Sequence, residues 1–326
     1  MRKTGTLKDV GEDAAITALL STLGKRDGAL VGPGDDCAVV AVEGAAEDWL
    51  LTSDPVIEGV HFLPDTEPRM IGRKAVGRVL SDIAAMGGEP VWLLVNVTAP
   101  AECAVARLKA MYRAARSLCG KYGAAIVGGD VARGPTLSLH VFGIGRTPRG
   151  AALRRMGARP GDGIYVTGLL GGSGAGRHLS FEPRITEGLW LREQGWPSSM
   201  MDVSDGVATD LRRLIKMNQV GAELDVASIP IAKAARDAGD GRSPWYHALT
   251  DGEDYELLFT VPAERRSAFE SSWKDTFRLP CTPIGRVNAR KHRLTIRDEK
   301  GRVSLWGEHG YEHFVSLPEK RRASGK

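Results

Sequence analysis

The sequence holds few cysteines and no long apolar run. Four cysteines occur in 326 residues, widely spaced and without a C-x-x-C pair: Cys37, Cys103, Cys119 and Cys281. This usage disfavours a disulfide framework or a zinc site and favours a reducing cytoplasm. The most apolar run, residues 91–97, is far too short to span a membrane, and no signal-peptide pattern opens the chain. We therefore expect a cytoplasmic protein that does not associate with a membrane.

Several patterns of catalysis and recognition are also missing. The histidines are isolated, without an H-E-x-x-H motif or a Ser-His-Asp order, which disfavours zinc hydrolysis and triad catalysis. No G-x-x-x-x-G-K-[ST] loop is present, so any handling of ATP would rely on metals and arginines. The 44 basic and 40 acidic residues give a net charge of +4, and the basic residues are scattered apart from a tail at 319–326. Basic stripes interleaved with aromatic residues are absent, so nucleic acid is not an expected partner.

What the chain does contain is typical of a globular protein with sizeable cores. Hydrophobic residues make up 42% and charged residues 26% of the sequence. The length suggests two domains, and a change of pattern around residues 148–150 predicts an N-terminal domain at 1–148 and a C-terminal domain at 149–326. Because strands do not alternate strictly with helices, we expect an α+β fold.

Three local patterns predict elements around candidate polar residues. Residues 102–122 form the clearest helix, with one apolar stripe made of Val105, Leu108, Tyr112, Ala115 and Cys119. Residues 49–51 predict a short strand that ends in Thr52-Ser53-Asp54. Residues 124–127 predict a buried strand that ends in Gly128-Gly129-Asp130.

Acidic residues collect beside glycine, serine or threonine at the ends of predicted elements: Asp35, Asp36, Asp54, Asp82, Asp130, Asp202 and Asp205. Any one of them alone is most simply a helix cap or a turn residue. Seven such acids are more than caps require, and Mg²⁺ takes oxygen ligands, commonly together with substrate phosphates. The set therefore predicts a magnesium and phosphate site.

Two glycine-containing segments bear on this site. In Asp202-Val203-Ser204-Asp205-Gly206, two acids and a serine stand between an apolar segment and a helical pattern at 207–215. They place more oxygen atoms at a helix start than one cap uses. The loop at 171–176 is rich in glycine and has two interpretations, a phosphate cradle built from backbone N–H groups or a flexible loop.

For five other side chains, the sequence allows both a functional role and an ordinary structural or solvent-exposed role. Arg154 and Arg155 could clamp phosphates as planar forks, or form a solvated basic pair. His61 could contact an anionic substrate or a metal, or be a satisfied buried histidine. Tyr112 could flank a nucleotide base, although core packing is the default. Glu253 could contact a cationic substrate or lie in a solvated loop.

Taken in order, these motifs resemble the thiamine-monophosphate kinase family, in the superfamily that also holds aminoimidazole ribonucleotide synthetase and selenophosphate synthetase. The matching segments follow the family's order between residues 11 and 314. They are Gly34-Asp35-Asp36-Cys37-Ala38, Thr52-Ser53-Asp54, Glu58-Gly59-Val60-His61-Phe62, Leu80-Ser81-Asp82-Ile83-Ala84-Ala85-Met86-Gly87, Gly128-Gly129-Asp130, Pro160-Gly161-Asp162, Asp202-Val203-Ser204-Asp205-Gly206 and Gly252-Glu253-Asp254-Tyr255-Glu256-Leu257.

The resemblance implies a kinase that uses ATP to phosphorylate thiamine monophosphate to thiamine diphosphate by in-line, magnesium-assisted transfer. It implies ligands of several Mg²⁺ ions at Asp36, Thr52, Ser53, Asp54, Asp82, Asp130, Asp202 and Asp205. It implies ATP contacts at Tyr112, Gly129, Asp130, Arg155 and Ser204, and substrate contacts at His61, Glu253 and Tyr311. It also implies a homodimer joined through N-terminal domains, each a mixed sheet or half-barrel with helices, and C-terminal α/β-sandwich domains.

Other functions stay open beside this one. Residues 1–30 lack the cysteine expected of a selenophosphate synthetase, and the segment at 252–257 favours the thiamine enzyme over aminoimidazole ribonucleotide synthetase. The alternatives are another ATP-using enzyme of the superfamily, or a non-catalytic regulator that binds a nucleotide or thiamine phosphate. Val79 stands where the family usually has Asn, and Pro55 and Val131 replace threonines beside expected ligands.

Overall fold

The computed structural model of the protein describes residues 5–24 and 28–307, which contain two β-sheets. The N-terminal sheet has six strands: β1 (Ala29–Val31), β2 (Ala38–Ala41), β3 (Glu47–Ile57), β4 (Glu89–Ala99), β5 (Ala125–Arg133) and β6 (Ser138–Pro148). They lie in the order β1-β2-β3-β6-β4-β5. The β4–β5 pair is parallel and the other neighbours are antiparallel, so the sheet is mixed, as predicted.

The described part of the N-terminal half contains four helices: α1 (Leu7–Val10), α2 (Glu12–Leu20), α3 (Pro68–Ala85) and α4 (Val105–Lys121). The helix α3 begins at a proline, which suits the first turn because the N–H there has no intrahelical acceptor. It is the central helix of the domain, with most of its apolar side chains wholly buried. A Cβ at Gly72 would lie 2.1 Å from the Met111 carbonyl oxygen, so α3 and α4 cross with their backbones in close contact.

Up to residue 307, the C-terminal sheet has seven strands: β7 (Gly163–Thr167), β8 (Ser199–Asp202), β9 (Gly221–Asp225), β10 (Leu257–Val261), β11 (Cys281–Asn288), β12 (Leu294–Arg297) and β13 (Val303–Leu305). Their order is β13-β12-β9-β11-β7-β10-β8. Its helices are α5 (Arg177–Ser180), α6 (Ile185–Gln194), α7 (Val207–Asn218), α8 (Lys233–Arg236), α9 (Pro244–Thr250) and α10 (Arg266–Thr276).

Helices cover both faces of this second sheet. Its central strands β7 and β10 are buried along their whole length. Neighbouring residues of β7 enter different cores, since Ile164 packs with Leu211 of α7 whereas Tyr165 packs with Phe269 of α10. Burial on both faces explains why these strands are apolar throughout instead of alternating. The predicted α+β class is confirmed, and the predicted boundary after residue 148 falls between the two sheets.

The two halves pack closely along α3. A Cβ at Gly77 would lie 2.8 Å from the ring of Phe181, so only glycine leaves room for this ring against α3. Phe181 in turn stacks on Tyr255, with ring centroids 4.0 Å apart. Arg73 of α3 adds an ion pair with Glu182 at 2.6 Å. We call the packing of Gly77, Phe181 and Tyr255 the aromatic interface.

Three local predictions are corrected by the structure. The segment predicted as a buried strand at 124–127 is the start of β5, an exposed edge strand that continues through Asp130. In α4, Val105 is 65% exposed, and the buried stripe is Met111, Ala115, Leu118 and Cys119, because the helix faces α3 through these residues. The predicted short strand at 49–51 is part of the eleven-residue β3. Within the described ranges, no helix is both long and apolar enough to cross a bilayer.

Candidate active site

Three carboxylates from separate parts of the chain meet between the two halves. Asp36 follows the Gly34 turn, Asp82 lies in the last turn of α3, and Asp202 ends β8. Each offers an oxygen atom, and these atoms lie within 4.8 Å of one another. We call this group the carboxylate cluster. Two of its members come from the N-terminal half and one from the C-terminal half.

The carboxylate cluster is electrostatically unfavourable without a cation. Burial raises the pKa of Asp82 well above its usual range, and Asp54 and Asp202 raise it further. Burial and then Asp36 raise the pKa of Asp202 to about 7. Like charges held together at a desolvated position oppose ionisation, and a bound divalent cation would relieve this opposition.

Two hydroxyl groups orient the carboxylate cluster. The Thr52 hydroxyl donates a hydrogen bond to Asp82 at 2.5 Å, and the Ser81 hydroxyl donates one to Asp202 at 2.6 Å. Thr52 reaches Asp82 because β3 packs against α3, while Ser81 crosses from α3 to the C-terminal half. Such outer partners fix the direction in which a carboxylate presents its remaining oxygen atoms to a metal.

Three aspartates around the site are paired with arginines. Arg155 bonds Asp36 at 2.5 Å and 3.3 Å. Arg78 bonds Asp54 at 3.0 Å and 3.3 Å, and Arg213 pairs with Asp205. The Arg155 bond joins the two halves. Asp35, the neighbour of Asp36, lies outside the carboxylate cluster and accepts from the Arg155 backbone N–H at 3.2 Å.

A cavity of 1510 Å³ lies beside the carboxylate cluster. Side chains of both halves line it, including all three paired arginines, and so do several of the predicted site residues. Those residues are Asp54, His61, Arg155, Ser204, Asp205 and Glu253. This volume exceeds what a single small ligand occupies, so the cavity has room for a nucleotide and a second phosphorylated molecule.

The segment predicted to lie at a helix start does so. Ser204 and Asp205 form the turn between β8 and α7, and the Asp205 N–H bonds Asp210 in the first turn of α7 at 3.0 Å. The Ser204 carbonyl accepts from the Glu253 N–H at 2.7 Å. The segment at 203–205 therefore runs beside the segment at 253–256, and both face the cavity.

Glu253 is held at the cavity wall by one nitrogen-bearing side chain from each half. The wholly buried Lys74 of α3 bonds Glu253 at 2.6 Å, and His178 lies 3.1 Å from its other oxygen. Lys74 also donates to the His61 carbonyl at 2.6 Å. Burial opposes ionisation of Glu253, but His178 and Lys74 outweigh it and lower its pKa to about 2. Glu253 is also held at a φ of +65°, which few residues other than glycine adopt.

Some predicted site residues lie elsewhere. Side chains alternate along β3, so Ser53 points away from Thr52 and Asp54, toward the exposed face that holds Phe142. Asp130 lies opposite Asn96 on exposed β5, outside the carboxylate cluster. Next to it, a Cβ at Gly129 would lie 1.9 Å from the Val95 carbonyl oxygen, and Tyr112 donates to that same oxygen at 3.1 Å. Tyr311 lies outside the described residues.

The glycine-rich loop at 171–176 has its first two donors occupied. The Gly171 N–H bonds Asp254 at 3.0 Å, and the Gly172 N–H bonds Asp251 at 2.8 Å. Carboxylates of the protein therefore occupy two of the donors that a phosphate cradle would use. The loop instead packs against the segment that carries Glu253.

Sequence reasoning missed Lys74, Arg78 and Arg213. Lys74 and Arg78 precede Asp82 by eight and four residues on α3, so a helical i, i+4 pattern aligns all three on one face. That spacing was the available signal. Arg213 lies eight residues after Asp205. Its ion pair with Asp205 depends on the turn between β8 and α7, which the sequence pattern does not show.

Known proteins match the chain over most of its length. Residues 34–147 match the AIR synthase related protein, N-terminal domain, and residues 183–297 match the C-terminal domain of the same group. Thiamine-monophosphate kinase of Escherichia coli (strain K12) is 36% identical over 311 residues, which cover 88% of this chain and 92% of that protein.

Solved structures agree with these matches. The structure described as "AaThiL complexed with AMPPCP and TMP" has a TM-score of 0.82 and 31% identity, and covers 96% of this chain and 100% of that chain. The thiamine-monophosphate kinase of Stenotrophomonas maltophilia K279a has a TM-score of 0.71 and 32% identity, over 89% and 96% of the two chains. The chain therefore belongs to the thiamine-monophosphate kinase family of AIR synthase related proteins.

Proposed function

We propose that this protein uses ATP to phosphorylate thiamine monophosphate to thiamine diphosphate. The observation that carries the proposal is the carboxylate cluster, set beside a cavity that arginines of both halves line. The relative described as complexed with AMPPCP, an ATP analogue, and TMP supports this assignment of both ligands. All four cysteines are free, which suits the predicted cytoplasmic location.

The residues present fit magnesium. Asp36, Asp82 and Asp202 offer three converging hard oxygen ligands. They would hold the ion, and Asp54 and Asp205 at the cavity wall would add ligands. When bound, Mg²⁺ supplies positive charge that lets two phosphate groups approach in line. The further predicted ligands Thr52, Ser53 and Asp130 remain predictions, and of these Thr52 orients Asp82.

The protein's own residues bind and orient the two substrates. A phosphate oxygen of the acceptor is largely ionised at neutral pH, so no strong general base is required. Arg155 and Ser204 face the cavity where the nucleotide phosphates are expected. Glu253, ionised and fixed by Lys74 and His178, offers a counter-charge to the cationic ring of thiamine. His61 lies beside it on the same wall.

We further propose that two copies join through the N-terminal sheet. The face of this sheet turned away from α3 exposes neighbouring apolar side chains: Leu51 at 41%, Trp92 at 44%, Leu94 at 39% and Phe142 at 43%. Such a continuous apolar face is typical of a protein–protein interface. The predicted ATP contacts Gly129 and Asp130 lie on β5 at the edge of this sheet, which supports a site completed by a second copy.

The test is a product assay with ATP, MgCl₂ and either thiamine monophosphate or free thiamine. We expect thiamine diphosphate from the monophosphate and no product from free thiamine or in EDTA. Asp82→Asn should remove activity, whereas Asp48→Asn, which changes a buried aspartate of the same domain outside the cavity, should retain it. Tight nucleotide binding without product would instead indicate a regulator, and turnover of another acceptor would indicate a different enzyme of the superfamily.

A further inference from the structure

Two arginines without an assigned role lie on the cavity wall. Arg78 of α3 bonds both oxygens of Asp54 through Nη2 and Nε, at 3.0 Å and 3.3 Å. Arg213 of α7 pairs with Asp205 and also bonds Asp210 at 3.1 Å. The side chains are 13% and 29% exposed, and both line the cavity. Each arginine therefore occupies an aspartate that is itself a predicted metal ligand.

An aspartate cannot serve both partners in the same way. Arg78 donates one bond to each oxygen of Asp54, so it competes with a metal ion that approaches the same side of the carboxylate. If the carboxylate binds a metal ion instead, the arginine loses this counter-ion although its side chain is largely buried. A charged group left unpaired at such a position is costly, so it requires another anion. The anion that the proposed function brings into this cavity is phosphate.

We propose that Arg78 and Arg213 are exchangeable counter-ions: they neutralise Asp54 and Asp205 in the metal-free protein and bind nucleotide phosphate oxygens once a divalent cation takes these carboxylates. The inference rests on the proposed function, because it assigns two further phosphate ligands to the same site. Arg155 on Asp36 has the same arrangement and was already predicted as an ATP contact. Guanidinium forks match phosphate geometry as well as they match carboxylates.

The exchange makes metal and nucleotide binding depend on each other. A metal ion alone takes Asp54 from Arg78 and Asp205 from Arg213, which then keeps its bond to Asp210. A nucleotide alone meets arginines that are occupied and carboxylates that repel it. When both ligands are bound, the metal neutralises the carboxylates and the phosphates pair with the arginines. We therefore expect each to strengthen the binding of the other, on the order of 5- to 150-fold.

The experiment separates the two halves of the exchange. Mn²⁺ binding is measured without nucleotide, and AMPPCP binding at saturating Mn²⁺, by calorimetry on the full chain. In Arg78→Gln the carboxylate of Asp54 no longer has a competitor, so we expect Mn²⁺ alone to bind about 10-fold more tightly. The phosphate ligand is lost in the same variant, so we expect AMPPCP to bind about 10- to 100-fold more weakly. Arg213→Gln should shift both affinities in the same two directions.

Matched variants exclude a general structural effect. Arg297→Gln removes an arginine that pairs with Glu223 at 2.5 Å away from the cavity, and it should change neither affinity. Arg78→Lys keeps a cation beside Asp54 and should leave Mn²⁺ affinity close to that of the wild type. If Arg78→Gln does not fold, by circular dichroism, Arg213→Gln decides the question, because its pair is the more exposed.

The inference is overturned if Mn²⁺ affinity stays the same or falls in the folded glutamine variants, because a purely structural pair would give that result. It is also overturned if AMPPCP affinity is unchanged. The proposed function is judged separately with the wild type. A wild type that binds Mn²⁺ and AMPPCP but forms no thiamine diphosphate overturns the kinase assignment and leaves the exchange to be decided by the variants.

Discussion

Asp202→Asn should stabilise the metal-free protein and remove its response to Mg²⁺. Asp202 is 2% exposed and lies within the carboxylate cluster, where its charge is opposed by Asp36. Asparagine has nearly the same shape, and its amide oxygen can still accept the Ser81 hydroxyl now bonded at 2.6 Å. The substitution therefore removes a charge while it keeps the packing.

The size of the effect follows from the pKa of Asp202. A rise from 3.8 to about 7 means that ionisation above pH 7 costs at most about 4 kcal/mol more in the folded than in the unfolded chain. Neighbouring acids reduce this cost because they can share a proton with Asp202. We therefore expect Asp202→Asn to raise the free energy of unfolding by about 1–3 kcal/mol at pH 8. A raised carboxyl pKa lowers stability as the pH rises from 3.8 to 7. The gain should therefore be absent at pH 4 and constant above pH 7.

Thermal unfolding in EDTA and in MgCl₂, at pH 4, 6 and 8, measures this directly. The wild type should melt at a higher temperature with MgCl₂. At a Mg²⁺ concentration one hundred times the dissociation constant, binding adds about 2.7 kcal/mol to the free energy of unfolding. Asp202→Asn should melt above the wild type in EDTA at pH 8, and its melting temperature should not respond to MgCl₂. Asp48→Asn is the control, since Asp48 is equally buried and accepts the Gly150 N–H at 2.7 Å outside the cavity. It should keep the full response to MgCl₂.

Two results would refute this reasoning. If Asp202→Asn is less stable than the wild type in EDTA at pH 8, the carboxylate acts mainly as a structural acceptor for Ser81. If the variant keeps the wild-type response to MgCl₂, Asp202 is not a ligand, and the carboxylate cluster does not hold the metal as proposed.

Three further substitutions test neighbouring parts of the site. Ser81→Ala removes the donor that orients Asp202 and should weaken Mn²⁺ binding about 10-fold by calorimetry, and unchanged binding would contradict that role. Glu253→Gln should raise the KM for thiamine monophosphate about 10-fold with an unchanged KM for ATP, and a rise for ATP alone would place the nucleotide there instead. Phe142→Glu puts a charge on the apolar sheet face and should turn a dimer into a monomer in light scattering, and a dimer that persists would exclude this face.

Much of the candidate site could be predicted because its polar residues lie in short motifs of the sequence. Asp36, Asp82 and Asp202 each stand within two residues of glycine or serine, and each lies near the start or end of an element. The α+β class followed from the order of the elements. These features are local, so the sequence displays them directly.

The partners of these residues could not be predicted in the same way. Arg78 stands one turn before Asp82 on α3, yet it pairs with Asp54 on β3, and only the packing of helix on sheet decides between the two. The Arg155 bond to Asp36 exists because the two halves meet. The orientation of Ser53 also could not be predicted from the motif. The motif identifies the position of Ser53 in the chain but not the face of β3 on which its side chain lies.

The aromatic interface of Gly77, Phe181 and Tyr255 can influence ligand affinity indirectly. Because residues of both halves line the cavity, we expect the free energy of bringing the halves together to contribute to the affinity for each proposed ligand. A larger residue at Gly77 would push Phe181 aside and strain that contact, although neither residue lines the cavity. A substitution in the aromatic interface can therefore change ligand affinity without any change to the residues that line the cavity.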